Sequence, residues 1–406
     1  MMRNRRLGSN LGLISALAVA GLFLAWLCVC TTAINMLPHS KTLVQKIAPG
    51  NAEMVLNDAA SALVKQRGIL DPATLAAVRS AALDAPLDAR AFLILGHQQL
   101  LDNQPDRAVK TLEAGQRLDP RERLIHLLLL DRYLRSERYA DAAAQFSVLA
   151  RLVGPTKAPI AQAMAAMILS PEASAAARKT LRADLGLEIA VLTALAKSDT
   201  APDAIFAVAS PAARAHVADE RGWGRALVAR LVSQQRYATA RQMWQRIYGL
   251  SDAQASAPVF NASFNAPPAA PPFDWTLTTG SLGAAEIRDG GLLVDYYGRD
   301  SGPLAQQMLV LRPGRYRFAV TVESGATDTA SKLFWTLSCS NNAKVVPLNV
   351  QVSAGPKRRQ IAAEMVVPVQ CPAQLLTLRA EAGEFPATIS LILRDLTVGP
   401  APEARP

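Results

Sequence analysis

Histidines and short catalytic motifs are the first places in which to look for chemistry. The chain has four histidines, and none of them stands in a metal-binding or catalytic spacing: His39, His97, His126 and His216. The sequence lacks the His-Glu-x-x-His, Gly-x-Ser-x-Gly and phosphate-binding glycine motifs of common enzymes. Spacing does not test a carboxylate-only glycosidase, so a glycan-processing enzyme stays open as an alternative. We predict no catalytic, cofactor or metal site, and a protein that is not an enzyme.

The four cysteines fall into two pairs with different surroundings. Cys28 and Cys30 lie in an apolar stretch, whereas Cys339 and Cys371 lie 32 residues apart in the last third of the chain. In an oxidising compartment, two cysteines of one domain favour a disulfide, which would stabilise this fold by about 3 kcal/mol. The alternative is two buried free thiols. We predict a disulfide between Cys339 and Cys371 if this part of the chain is exported.

An uncharged stretch of 27 residues, Leu11–Leu37, follows three arginines near the start of the chain. About 20 apolar residues suffice to cross a bilayer as a helix, and preceding arginines favour a cytoplasmic N-terminus. We therefore predict a cytoplasmic segment 1–10 and a transmembrane anchor 11–37. The body would lie in the periplasm, held at a bacterial inner membrane by a single pass. A cleaved signal peptide is the alternative.

The formal net charge of +10 comes from 43 basic and 33 acidic residues. The basic residues are spread along the chain, and the densest cluster beyond the N-terminus is the short run 357–359. Such a run is typical of a solvated turn, so we predict no nucleic-acid partner. Diffuse attraction to anionic lipid or acidic polysaccharide remains compatible with this charge.

Two kinds of element must position the candidate residues, and the first is a repeat with a period of 34 residues. Similar residues recur at this spacing in pairs: Gln99 and Tyr133, Ala108 and Ala142, Leu112 and Phe146, Gly115 and Leu149. The period is lost between residues 154 and 220, and a similar pattern returns at 223–250. A period of this length is typical of stacked helical hairpins, so we predict an all-α solenoid over residues 51–250.

Seven residues resemble the pattern of the tetratricopeptide repeat: Phe92, Leu95, Gly96, Ala108, Leu112, Gly115 and Pro120. Gln99 and Leu112 replace its two aromatic positions. The resemblance implies that the array binds protein partners on a concave surface. The candidates for contact with a partner are His97, Gln99, Arg132 and Tyr133. For each of them, packing within the repeat is the alternative.

The second kind of element is the β-strand, which period-two patterns predict after residue 257. Residues 316, 318, 320 and 322 share one apolar face, and so do residues 333, 335, 337 and 339. We predict a β-sandwich or jelly roll of about eight strands over 257–400, with residues 259–264 as a candidate first strand.

Five successive segments resemble carbohydrate-binding-module-like, or galactose-binding-like, jelly rolls: 261–264, 272–277, 290–298, 311–318 and 393–399. The resemblance implies a setting near polysaccharide synthesis or export. A sugar site needs an exposed aromatic ring beside hydrogen-bonding groups. Alternation with apolar residues predicts that Trp335 and Tyr296 are core residues. This leaves Tyr297 and Trp275 as candidate ligand contacts, with packing as the alternative for both.

The sequence thus predicts a membrane-anchored periplasmic scaffold or adaptor that binds proteins through its helical repeats. Its process would be the assembly of the bacterial envelope or of exopolysaccharide. The first alternative is a carbohydrate-binding receptor that acts through the jelly roll. The second is the glycan-processing enzyme mentioned above.

Overall fold

The structure is a computed structural model that describes residues 19–29, 32, 50–65, 68–154, 157–268, 270–327, 331–353, 357–384 and 387–401. The predicted cytoplasmic segment 1–10 and most of the predicted anchor 11–37 lie outside the described residues. Residues 19–29 are helical. Within the described ranges, no helix combines the length and apolarity that a membrane span requires.

The chain divides into two compact units, Met1–Glu188 and Ile189–Pro406. The first unit contains α1 (Ala52–Lys65), α2 (Pro72–Asp84), α3 (Ala89–Leu101), α4 (Pro105–Leu118), α5 (Arg123–Arg135), α6 (Tyr139–Leu152), α7 (Ala158–Leu169) and α8 (Ser174–Arg182). Helix α9 (Leu185–Lys197) crosses the boundary. The second unit continues with α10 (Pro202–Val208), α11 (Pro211–Ala215), α12 (Trp223–Ser233), α13 (Tyr237–Tyr248) and α14 (Asp252–Ser256).

The strands that follow in the second unit are β1 (Thr276–Leu277), β2 (Gly283–Arg288), β3 (Gly291–Tyr296), β4 (Gly302–Leu309), β5 (Gly314–Thr327), β6 (Lys332–Cys339), β7 (Leu348–Val352), β8 (Arg359–Val367), β9 (Gln374–Glu381) and β10 (Ile389–Pro400). The predicted order of a helical region followed by a β-region is therefore confirmed. The ten described strands exceed the predicted eight, because two-residue and five-residue strands give little alternation to detect.

The period of 34 residues is the spacing of whole hairpins. Helices α3 and α5 begin 34 residues apart, and so do α4 and α6. Asn103 and Glu137 occupy the same place in the two turns, and each has a left-handed backbone with φ of 56°. In both turns the amide three residues after the last helical residue bonds back to the helix: the N–H of Gln104 donates to Gln99 O (2.8 Å), and that of Arg138 to Tyr133 O (2.9 Å). These bonds satisfy carbonyls that the end of a helix leaves free.

Small residues allow the two helices of a hairpin to approach closely, as the sequence predicts. A Cβ atom added at Gly96 would lie 2.7 Å from Cγ of Leu112, and one at Gly115 would lie 2.8 Å from Cβ of Phe92. Leu112 and Phe146 are buried. The small residues of the repeat pattern therefore lie where α3 and α4 pack against each other.

The β-region is a sandwich of two five-stranded antiparallel sheets. Their strand orders are β1-β4-β9-β6-β7 and β2-β3-β10-β5-β8. Its core includes Trp335 and Tyr296, which are fully buried as the alternation predicts. The predicted first strand at 259–264 is wrong: these residues form turns, and Asn261 and Phe264 have positive φ, which is incompatible with a strand.

The boundary between the compact units falls at residue 188, inside the predicted helical domain 51–250. The last helices belong to the second unit, and α13 packs against the segment that precedes β1. Trp244 is 1% exposed, and its Nε1–H donates to Ala270 O at 2.8 Å. Its ring also meets the edges of Phe260 and Phe273 at centroid distances of 5.0 and 5.7 Å.

Candidate binding surfaces

Two of the predicted contact residues, His97 and Gln99, serve packing inside the helical array. The Nε2 atom of His97 lies 2.9 Å from the carbonyl oxygen of Gly68, in the loop before α2. The side-chain oxygen of Gln99 accepts a hydrogen bond of 2.8 Å from the hydroxyl of Thr111 on α4. Both partly buried side chains therefore have internal polar partners.

Tyr133 is also a packing residue, and it holds charged groups in place. It is 4% exposed, and its hydroxyl donates to Glu113 at 2.8 Å. The guanidinium of Arg138 lies over its ring, 4.4 Å from the centroid. Burial, and then the hydrogen bond and charge of Glu113, raise the pKa of Tyr133. The phenol therefore stays neutral and keeps donating to the carboxylate.

Arg132, the fourth predicted residue, lines a charged cleft of about 610 Å³ between α4 and the turn that joins α5 to α6. The charged residues of this cleft are Asp106, Lys110, Glu113, Arg132, Arg135 and Arg138. Arg135 pairs with Asp131 at 2.9 Å, and Arg138 pairs with Asp141 at 2.7 Å. The cleft thus presents a partly compensated basic surface.

A second surface feature of α5 was missed in the sequence. Leu124, Leu127 and Leu134 of α5 are 40%, 45% and 37% exposed. Their spacing of three and seven residues places them on one side of the helix, opposite the buried Leu129 and Tyr133. We call these three residues the leucine stripe. The run IHLLLLDRYL reads as apolar on all sides, so only the positions of the neighbouring helices separate its exposed leucines from its core leucines.

In the second unit, Cys339 and Cys371 form the predicted disulfide, with Cα atoms 5.3 Å apart. It joins the end of β6 to the loop before β9. Cys28 is exposed, whereas Cys30 lies outside the described residues.

The two aromatic candidates for sugar contact differ in their exposure to solvent. Trp275 as a ligand contact is wrong: it is fully buried, its Nε1–H donates to Asn261 O at 3.1 Å, and its ring packs against Phe264 and Trp335. Tyr297 is 45% exposed just after β3, so its ring is accessible. Alternation along the strand could not predict whether Trp275 is buried, because β1 has only two residues.

The sheet β1-β4-β9-β6-β7 carries a line of uncharged polar residues on its outer face. Five residues in register, one from each strand, form this polar row: Thr276, Gln306, Thr377, Thr336 and Asn349. Most of their neighbours along each strand belong to the core, so alternation directs the row outward. Thr377, at its centre, is only 7% exposed. Gln306 donates to the hydroxyl of Thr377 at 3.3 Å. The next line of the face includes Phe334, which is partly buried, and the exposed Arg379.

Within the described ranges, no group of three or more histidine, cysteine, aspartate or glutamate side chains is arranged to hold a metal ion. The candidate binding surfaces are the charged cleft and the leucine stripe in the first unit, and the polar row in the second.

No family model matches the chain, and no curated protein matches it either. Among solved structures, the chain is similar to a carbohydrate-binding module described as "CBM4 structure and function", at 17% identity over 35% of this chain and 99% of that one, with a TM-score of 0.28. It is also similar to yeast Tom70, at 15% identity over 52% of this chain and 45% of that one, with a TM-score of 0.28. For YrrB, a TPR protein, the identity is 13% over 42% of this chain and 91% of that one, with a TM-score of 0.24. These TM-scores are too low to support a conclusion about the chain.

Proposed function

We propose that the protein is an adaptor of the bacterial envelope that binds a protein partner through its first unit. The observation that carries this proposal is the leucine stripe. Three large apolar side chains on one side of α5 are still 37–45% exposed, and burying the exposed part of each would gain about 0.6–1.2 kcal/mol. A clustered apolar surface with a polar rim is typical of a protein-binding site.

The surroundings of the stripe define the partner's chemistry. Arg135, which lines the charged cleft, directly follows Leu134 of the stripe in α5. The cleft supplies four basic and two acidic side chains. A complementary segment would place apolar residues on the stripe and acidic residues towards the cleft, which orients the partner and speeds its association.

The proposal places the protein at the inner membrane, with its body in the periplasm. The apolar stretch Leu11–Leu37 and the arginines before it support this address. The disulfide between Cys339 and Cys371 also supports it, because such bonds persist in oxidising compartments. Within this proposal the protein acts by binding and not by catalysis, and its process is envelope or exopolysaccharide assembly.

Site-specific photo-cross-linking in cells tests the proposal. A benzophenone amino acid replaces Leu127, and in a control strain it replaces the exposed Arg121 in the loop before α5. We expect one discrete protein adduct from position 127 and none of that mass from position 121. The same adduct from both positions, or none from 127, would contradict a partner at the stripe.

The polar row favours a second candidate function, which is carbohydrate binding by the sandwich. Amide and hydroxyl groups in register match the donors and acceptors of a sugar chain, and Phe334 lies beside them. A glycan array with the full chain tests this, with Asn349→Ala for the row and Tyr297→Ala for the exposed ring. Loss of binding in Asn349→Ala assigns the row, and loss only in Tyr297→Ala assigns the ring. Absence of glycan binding would reject this candidate.

A further inference from the structure

Arg241 on α13 is a buried cation that lacks a counter-charge. The side chain is 9% exposed. One amino group, Nη2, donates to Ala257 O at 3.2 Å, and the other, Nη1, is fully enclosed and has no hydrogen-bond partner in the described part of the chain. No carboxylate of the described residues forms an ion pair with it. Burial alone lowers the pKa of Arg241 to about 10, so the side chain is still charged at neutral pH.

Aromatic rings hold this guanidinium in place. Its central carbon lies 4.8 Å from the centroid of Trp244 and 5.4 Å from that of Phe273. Cation–π attraction offsets part of the cost of burying the charge. The aromatic rings do not replace a counter-ion. An anion bound next to Arg241 would therefore stabilise its buried charge.

A cleft of about 430 Å³ lies against this arginine, and all of its lining belongs to the second unit. Its polar lining consists of Arg241, Arg312, Gln242, Gln245, Ser256 and Tyr316. We call it the arginine cleft. None of its lining residues is acidic, whereas the charged cleft of the first unit contains two carboxylates. The exposed Arg312 adds a second positive charge.

We propose that the arginine cleft binds a sugar acid, with the carboxylate near Arg241 and Arg312. The sugar hydroxyls would donate to the side-chain oxygens of the lining, because Gln245, Ser256 and Tyr316 already donate to backbone carbonyls. The volume suits one or two pyranose rings. A guanidinium is the side chain that best matches a planar carboxylate. The uronate could be a free acid or a unit of an acidic polysaccharide. This inference goes beyond the proposed adaptor function, because it depends on neither the leucine stripe nor the anchor.

Isothermal titration calorimetry of the full chain in detergent tests this inference. The probes are glucuronate, a tetramer of galacturonate, neutral glucose and inorganic phosphate. We expect a uronate to bind at least tenfold more tightly than glucose or phosphate. Binding of the monosaccharide assigns the free acid, and binding of the tetramer alone assigns a polymer.

Three variants separate the role of the cleft from folding. Arg241→Met keeps an apolar stem between the aromatic rings, and we expect it to unfold at the wild-type temperature or above while losing uronate binding. Arg312→Gln should weaken binding at least tenfold. Arg236→Gln removes another exposed charge in the turn before α13, outside the cleft, and should bind like the wild type. No uronate binding, an equal response to glucose or phosphate, full binding by Arg241→Met, or an equal loss in Arg236→Gln would overturn the proposal.

Discussion

Single side chains in the first unit support the repeat by making polar contacts inside it. Tyr133 connects α5 to Glu113 on α4 and carries Arg138 on its ring face. Its position in the repeat was predictable from the period, but its partner was not, because the period does not specify which carboxylate lies opposite. His97 is similar: its contact is Gly68, in a loop 29 residues upstream that does not follow the pattern.

Tyr133→Phe should lower the free energy of unfolding by about 1 kcal/mol, the usual value for one hydrogen bond. The pKa of Tyr133 is raised above its unfolded value of 10.0, so its contribution is complete below pH 10 and is lost as the pH rises through the folded pKa. An alkaline titration followed by phenolate absorbance should therefore show one late-titrating tyrosine fewer in the variant. An identical titration curve would contradict this role.

Trp275 and Trp335 show what alternation can predict at this scale. Trp335 lies in an eight-residue strand, and its place in the core followed from the leucines at 333 and 337. Trp275 precedes a two-residue strand, and its burial depends on Phe264 and on the backbone of Asn261. Such contacts between turns leave no periodic trace in a sequence.

At the scale of elements, the helical hairpins were predictable because each turn and close contact recurs after 34 residues. The leucine stripe was not, because which side of α5 is covered depends on the helices around it. The place of α13 was also unpredictable: its tryptophan contacts Ala270, inside the proline-rich segment 267–272, and Phe273, directly after it.

Gly96→Ala should destabilise the first unit by about 1–3 kcal/mol through overpacking against Leu112, although alanine has the better helix propensity by about 1 kcal/mol. Gly186→Ala in α9 is the matched control, because its new Cβ meets nothing closer than 3.5 Å. Denaturant unfolding measures both. Equal effects of the two substitutions would show that the contact between α3 and α4 is looser than described.

Trp244→Ala should destabilise the second unit by about 3–5 kcal/mol, the usual cost of removing a buried tryptophan. Gln242→Ala, an exposed position on the same helix, should change stability by less than about 0.5 kcal/mol. Chemical unfolding followed by near-ultraviolet circular dichroism reports on the sandwich aromatics. A small loss in Trp244→Ala would contradict the packing of α13 into this unit.

At the scale of the whole molecule, the sequence predicted a helical region followed by a sandwich, and the structure describes both. The amino-acid composition changes at residue 250, but the boundary between the two compact units lies at residue 188. The difference arises because composition follows secondary structure, whereas a compact unit is defined by contacts such as that of Trp244 with Ala270.

The proposed periplasmic location predicts that Cys339 and Cys371 are oxidised to a disulfide in cells. After acid quenching and alkylation in denaturant, Cys339 and Cys371 should react only when a reductant is added first, since they are paired. A variant with both residues replaced by serine should lack this reductant-dependent labelling. Labelling of both thiols without reductant would contradict export of the sandwich.

The central claim is that the leucine stripe binds a partner and is not needed for folding. Its most direct test is the yield of the photo-adduct from position 127 in cells carrying Leu124→Ser and Leu134→Ser. We predict that the yield falls at least tenfold while the purified variant unfolds at the wild-type temperature. By contrast, Leu129→Ala, at a fully buried position, should lower stability by about 2–5 kcal/mol. An undiminished adduct in the double serine variant would contradict the claim.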